Sequence, residues 1–153
     1  MLAGCGFHLR GDVPMAFKSV YISSTTPSTV ANEIRRTLAT GQTRVAPNAK
    51  EGEVELRILS ERREKIIQSL STSGTVLEFR LHLSVSYQLT DGGEDPLIAP
   101  TELDLNRTVA YSDTAVISKE LEEQLQYQDM VKVAAQLITN RLAFVKRPAA
   151  KAG

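Results

Sequence analysis

One stretch of the sequence decides the fold: residues 77–89 read LEFRLHLSVSYQL. Every second residue from Leu77 to Leu89 is apolar, and the residues between them are polar or charged. A period of two is that of a β-strand with one buried and one solvated face, so we predict a long antiparallel strand here. His82 falls on the polar face, which predicts a solvated or hydrogen-bonded strand histidine.

Weaker patterns on both sides complete the predicted fold. Residues 20–22 form a short β-rich run, a helical pattern follows over about residues 28–40, and alternation returns at residues 53–58. A further strand is predicted near residues 103–111, and a final helix begins with Ser118 as its N-cap. The order β-α-β-β-β-α predicts an α+β two-layer sandwich, with a four-stranded mixed sheet and two helices on one face.

The charged run at residues 61–65, ERREK, lies between the second and third predicted strands. If strand pairing continues unbroken, Arg62 and Glu64 share the face of Val54 and Ile58, where unpaired burial would be costly. Either a β-bulge resets the register, or the hairpin projects beyond the helices. A fifteen-residue strand reaches about 50 Å, longer than such a core needs, and this favours projection. Ser71 to Gly74 forms the predicted reversal.

Composition excludes several classes of protein. The chain has 153 residues, with 18 basic and 18 acidic side chains, so no global field attracts nucleic acid. One cysteine allows no intrachain disulfide, and His8 and His82 have no further cysteine near them, so no metal site is expected. There is no phosphate loop or nucleophile elbow. We therefore predict no cofactor, no catalytic residues and no enzymatic activity.

The single cysteine, Cys5, follows Leu2-Ala3-Gly4, which looks like a bacterial lipobox. A lipobox cysteine carries the lipid of the mature protein, whereas the alternative is an ordinary apolar thiol. Only Met1 precedes Leu2, so we expect a natural leader upstream and an added start methionine. The predicted organisation is a lipobox and tether over residues 1–18, one α+β domain over 19–147, and a disordered tail over 148–153.

Four basic residues are candidates for binding an anionic ligand: Arg62, Arg63, Lys65 and Lys119. Charge-assisted contacts to phosphate are strong, and Ile66, Ile67 and Leu70 beside the run would add apolar contact with a lipid or partner. The alternatives are a solvated face neutralised by its own glutamates, and ordinary strand packing. Both alternatives remain open at this stage.

The chain resembles the lipopolysaccharide-assembly lipoproteins, the LptE (formerly RlpB) family. The resemblance rests on residues 2–10 (LAGCGFHLR), on Gly74 with Glu78-Phe79, and on residues 128–130, 134–138 and 141–142 in the final helix. It covers nearly the whole chain, and the start is its most specific part. In this family a lysine before the final helix and a basic residue near the hairpin tip contact lipopolysaccharide. Lys119 matches the first, and the second has no match.

The resemblance implies an outer-membrane lipoprotein that faces the periplasm and is anchored through Cys5. It further implies a one-to-one complex with LptD, a β-barrel translocon subunit that the lipoprotein plugs and helps to assemble. Lipopolysaccharide would be bound on its way to the cell surface. Arg62, Arg63 and Lys65 are our own candidates from charge and do not follow from the resemblance. The competing hypothesis is a soluble periplasmic α+β enzyme or adaptor unrelated to lipopolysaccharide.

Overall fold

The computed structural model describes residues 14–112, 114 and 116–146, so Cys5 and the predicted tail lie outside the described residues. Within this part of the chain, the elements form five strands and two helices. In chain order these are β1 (Ser19–Ser24), α1 (Thr29–Ala39), β2 (Arg44–Ala46), β3 (Val54–Leu70), β4 (Val76–Thr90), β5 (Ile98–Ala110) and α2 (Val116–Ala143).

The sheet has the order β2-β1-β3-β4-β5, so the prediction of four strands is wrong by one. The additional strand, β2, has three residues and pairs in parallel with β1. Three residues are too few to show a period of two, so no sequence pattern marks them. The other expected pairings are confirmed, because β1 and β3 are parallel while β3–β4 and β4–β5 are antiparallel.

Both helices pack on one face of the sheet and share one hydrophobic core with it. Helix α1 begins after Ser28, whose Oγ accepts a hydrogen bond from the Ala31 N–H at 2.9 Å, as expected of an N-cap. Its buried Ile34 and Met130 of α2 are among the side chains that cover the sheet. In the described part of the chain, neither helix has the length and apolar character needed to cross a membrane.

A β-bulge in β3 resets the register of the charged run, which corrects the preference for simple projection. Ile58 pairs with Tyr87 and Ser60 with Ser86, so Leu59 is an extra residue with no partner in β4. Beyond it, Glu61 lies opposite the buried Val85. Since side chains alternate across a strand, the extra residue moves those that follow, up to the next register shift after Ile67, to the other face. Arg62 and Glu64 therefore lie on the open face, away from the helices.

The distal end of the β3–β4 hairpin is nevertheless uncovered. Ile67 and Leu70 are each 54% exposed, and Leu77 is 47% exposed. The hairpin reverses through Gly74, whose φ of 84° lies in the left-handed region that favours glycine, as expected of a tight turn. Both a bulge and an uncovered tip are thus present.

Helix α2 contains a buried hydroxyl that lacks a hydrogen-bond partner among the described residues. Thr139 is 3% exposed, and its Oγ1 finds no acceptor or donor there. We expect Thr139→Val to raise the free energy of unfolding by about 1 kcal/mol, because an unsatisfied buried polar group is replaced by an isosteric methyl group. Urea unfolding followed by circular dichroism measures the change.

The matched control for this prediction is Thr37→Val in α1. The Thr37 hydroxyl donates to the Glu33 carbonyl oxygen at 2.9 Å, so its removal gives no such gain. A destabilised Thr139→Val variant would show that the hydroxyl has a partner in solution.

Candidate functional site

The bulge places three charged side chains of β3 beneath the helices. Glu61, Arg63 and Lys65 pair across the sheet with Val85, Leu83 and Leu81, which are fully buried on the helix-covered face. Glu61 is largely buried there and needs partners, because unpaired burial of a charge is costly, whereas Arg63 and Lys65 remain partly exposed. Glu61 has its partners on α1, Arg63 has partners on α1 and β3, and Lys65 has its partner on α2.

Glu61 lies at the N-terminus of α1, where backbone N–H groups lack partners within the helix. One carboxylate oxygen accepts hydrogen bonds from the Ser28 hydroxyl at 2.6 Å and from the Val30 N–H at 3.1 Å, and the other accepts from the Thr29 hydroxyl. Burial by itself raises the pKa of Glu61, but these hydrogen bonds and the charge of Arg63 outweigh it, so the pKa lies below its usual value. Glu61 therefore ties β3 to the start of α1 as a carboxylate.

Arg63 and Tyr127 join β3 to both helices. The Arg63 guanidinium donates to Thr29 Oγ1 at 2.6 Å and lies 5.4 Å from the centre of the Tyr127 ring. The Tyr127 hydroxyl donates to the Glu64 carbonyl oxygen at 2.8 Å. Burial, followed by the charge of Glu123, raises the pKa of this phenol, which keeps it a neutral hydrogen-bond donor. The sequence patterns do not reveal Tyr127 or the capping role of Glu61, because no local motif marks either.

Lys65 lies one position further along the same face. Its ammonium is 2.6 Å from a Glu123 carboxylate oxygen of α2 and 4.4 Å from the centre of the Phe79 ring. Lys65 thus neutralises an acidic residue of α2 and covers an aromatic ring of β4 at once.

A cleft of about 900 Å³ opens between β3, α1 and α2. Arg63 and Lys65 of β3 belong to its lining, one wall comes from α1, and the other from the N-terminal half of α2. The remaining lining residues are Thr29, Glu33, Arg36, Glu120, Glu123, Gln124, Tyr127, Gln128, Val131 and Lys132. Because the lining of the cleft combines positive and negative charges with amides and hydroxyls, the cleft suits a polar, charged ligand rather than an apolar one.

Lys119 lies close to this cleft. Helix α2 begins at Val116, so Ser118 is within its first turn and the prediction of Ser118 as the N-cap is wrong. Lys119 forms an ion pair with Glu122 at 2.9 Å and lines a smaller cavity of about 140 Å³ that Lys65 also lines. The structure therefore groups Lys119 with Lys65, which lines both cavities.

Arg62 is the member of the predicted set that the structure separates from the others. It points to the open face of the sheet and lies 3.7 Å from Glu102 of β5. All four basic candidates thus have an acidic neighbour, but only Arg63 pairs with a glutamate of the charged run itself, Glu61. Exposed ion pairs are weak, about 0–1 kcal/mol, so these pairs do not prevent exchange for a stronger anionic partner.

The open face of the sheet is a polar network. His82 lies between two carboxylates, with Nε2 2.8 Å from Asp104 and Nδ1 3.4 Å from Glu64, which confirms the prediction of a hydrogen-bonded histidine. The Ser84 hydroxyl donates a hydrogen bond to a carboxylate oxygen of Glu102 in β5. Residues at this face therefore satisfy one another across three strands.

Solved structures first show the class of fold. The solution NMR structure of a Nitrosomonas europaea protein, described as uncharacterized lipoprotein B, is 36% identical and matches with a TM-score of 0.75 over 87% of each chain. The crystal structure of the rare lipoprotein B from Shewanella oneidensis matches with a TM-score of 0.67 at 20% identity, over 82% of this chain and 93% of that one. The second likeness shows the fold alone. The fold is one that bacterial lipoproteins have.

Sequence comparison then gives the family. The LptE family model, described as lipopolysaccharide-assembly, matches residues 17–142. The LPS-assembly lipoprotein LptE of Pectobacterium atrosepticum is 28% identical over 144 residues, which cover 92% of this chain and 77% of the relative. The protein of the same name from Photorhabdus laumondii is 27% identical over 148 residues, which cover 94% and 79%.

The chain therefore belongs to the LptE family, and the resemblance seen in the sequence is confirmed. Family membership supports a role in lipopolysaccharide assembly, and the names of the relatives fit the prediction of a cell-envelope lipoprotein.

Proposed function

We propose that this protein is an outer-membrane lipoprotein, anchored through Cys5 at the periplasmic face, that binds and plugs the β-barrel LptD in a one-to-one complex. It aids the assembly of that barrel and binds lipopolysaccharide during transport to the cell surface. The observation that carries the proposal is the family match over residues 17–142, which spans all five strands and nearly all of α2. The match disfavours the alternative of an enzyme or adaptor unrelated to lipopolysaccharide.

The open face of the sheet supports the role of a plug. The interior of a large transmembrane β-barrel is polar, whereas its lipid-facing surface is apolar. The face formed by residues such as Arg62, His82 and Glu102 is polar, and its charges are already paired within the sheet. A domain can lie with such a face in a polar lumen without leaving unpaired charges behind.

Co-purification tests the partner. We expect tagged protein extracted from membranes to bring down LptD in equal amount, and Cys5→Ala to lose its lipid by intact mass. A Cys5→Ala variant that still carries acyl mass would contradict the anchor. Tagged, membrane-extracted wild-type protein that comes out alone would refute the complex.

The lipid-binding part of the proposal uses the basic residues Arg63, Lys65 and Lys119 near the cleft, together with Arg62 on the open face. Phosphate groups compete well for guanidinium and ammonium groups whose ion pairs are exposed, as those of Arg62 and Lys119 are. Arg63 and Lys65 are held more firmly, by the largely buried Glu61 and by contacts with aromatic rings, and would offer a ligand the exposed part of their side chains. The side chains of Arg62, Arg63 and Lys65 are 66%, 40% and 38% exposed, so their charged ends can reach a ligand.

Replacing all four basic residues by glutamine is expected to weaken lipopolysaccharide binding by the isolated domain at least tenfold. The charge-matched control replaces Lys18, Arg44, Lys50 and Lys146, which are all exposed. Because Arg63 also supports the fold, circular dichroism must show that the variant is folded, and Lys65→Gln with Lys119→Gln provides a milder second variant. Unchanged affinity in both variants would show that these residues are not the site.

A further inference from the structure

The two edges of the sheet differ sharply. One edge is β2, which has three residues, and the other is β5, which has thirteen. From Thr101 to Ala110, β5 pairs with β4 one residue to one residue, without a bulge. Within the described part of the chain, no other strand pairs with the outer side of β5. A long, regular edge is a template for another strand, and proteins usually shorten or interrupt such edges.

The side chains of β5 alternate between two environments. Leu103, Leu105 and Val109 lie on the helix-covered face, where they are only partly buried against the core. Arg107 lies on that same face opposite Leu81 and is exposed. An added strand would complete the burial of the three apolar residues, provided that it also carries an acidic group near Arg107.

Polar contacts on the open face run across the sheet and end on carboxylates at β5. One set of contacts runs from Glu64 to His82 and diagonally on to Asp104, and a second runs diagonally from Arg62 to Glu102. Asp104 and Glu102 are about half exposed, so the next position outward favours a basic side chain.

The same charges disfavour a second copy of β5 as the occupant. An antiparallel pair centred on Leu103 would place Glu102 opposite Asp104, and like charges directly opposite are destabilising. A pair centred on Leu105 would place Arg107 opposite Leu103, which leaves a charge against an apolar residue. The edge therefore selects a strand of different composition.

We propose that the outer edge of β5, from Thr101 to Ala110, binds an extended segment of the partner protein by β-strand addition. The segment carries apolar side chains on the face toward the helices, with one acidic residue near Arg107, and basic side chains on the open face. Main-chain hydrogen bonds provide the attraction, and these alternating side chains provide the selectivity. The inference rests on the proposed function for the existence of the partner complex.

Residue-resolved amide hydrogen exchange tests the proposal, on the full chain alone and in its co-purified complex with LptD. Amides that point outward from a free edge exchange rapidly, and strand addition protects them at every second residue. We expect at least tenfold slower exchange at alternate residues between 101 and 110 on complex formation. Amides of β4, which are paired on both sides in the free chain, serve as the control.

Charge reversal provides a second measurement. Arg107→Glu is expected to weaken the complex at least tenfold, Arg107→Lys to retain most of the affinity, and Lys50→Glu, an exposed residue of a distant loop, to leave it unchanged.

Five outcomes overturn the inference. A complex that forms without added protection at residues 101–110, or with uniform protection, shows that the edge is not paired. Protection that rises with concentration in the free chain identifies a second copy, and protection of the free chain at any concentration identifies another segment of the same chain. If no complex forms, the proposed function fails and the inference fails with it.

Discussion

Tyr127→Ala is expected to lower the free energy of unfolding by about 3–5 kcal/mol, as for other buried aromatic residues replaced by alanine. Tyr127 is 9% exposed and links α2 to β3 in two ways. Its ring packs under the Arg63 guanidinium, and its hydroxyl donates to the Glu64 carbonyl oxygen. The variant loses the ring, leaves that carbonyl without its donor, and removes the aromatic support of Arg63.

Tyr127→Phe separates the two contributions. It keeps the ring and removes the hydroxyl, so we expect a loss of about 1 kcal/mol, the usual net value of one hydrogen bond. Leu125→Ala is the control on the same helix, since Leu125 is 60% exposed and should change stability by less than about 0.5 kcal/mol. Urea unfolding measures all three variants. Equal losses for Tyr127→Ala and Leu125→Ala would show that α2 is not anchored through this ring.

Glu61→Ala is expected to cost about 2–3 kcal/mol of unfolding free energy, since its side chain is only 6% exposed. The variant leaves donors from Ser28, Thr29 and Val30 without their acceptor, and it leaves Arg63 without its closest carboxylate. Removing one partner of a buried charged network exposes the full desolvation cost of the rest. Glu64→Ala on the same strand is the control, because its side chain is 51% exposed and its ion pair is weak.

The pH dependence of stability gives an independent test of Glu61. Its folded pKa lies below the ordinary value of 4.5, so its contribution is fully present above about pH 4.5 and is lost as the pH falls through the folded pKa. The stability difference between the wild type and Glu61→Gln should therefore be largest near neutral pH and shrink in acid. A difference that does not change between pH 7 and pH 3 would contradict the role of the carboxylate as a charged cap.

The parts of the fold that sequence predicted well are those with a long local period. Strand β4 was expected over residues 77–89 and spans Val76–Thr90, and α1 was expected over 28–40 and spans Thr29–Ala39. In both elements, burial follows the strand or helix period, and a few neighbouring residues are enough to recognise that period. Short or interrupted segments carry no such signal, which explains why β2 was missed.

The charged run shows the limit most clearly. The sequence showed the charged run at residues 61–65 and allowed either a bulge or a projecting hairpin. The bulge at Leu59 decided which of these charged side chains lie on the helix-covered face and which on the open face. One extra residue inverts the face of those that follow it up to the next bulge, and the energy of the bulge depends on contacts with helices distant in the chain. Val30 lies 31 residues from Glu61, and Tyr127 lies 63 residues from Glu64. No short stretch of sequence, of the length over which periodicity is recognised, contains both partners of either contact.

By itself, the sequence determined the α+β class, the long strand, both helices and the family, because these follow from local periodicity and from residues matched in order. Tertiary structure alone decided that Arg63, Lys65 and Lys119 lie near one cleft while Arg62 faces the other side of the sheet. It also decided that β5 is left as a long free edge. Strand order and face are set by pairing between distant segments, whose free energy is realised only when the sheet and helices come together.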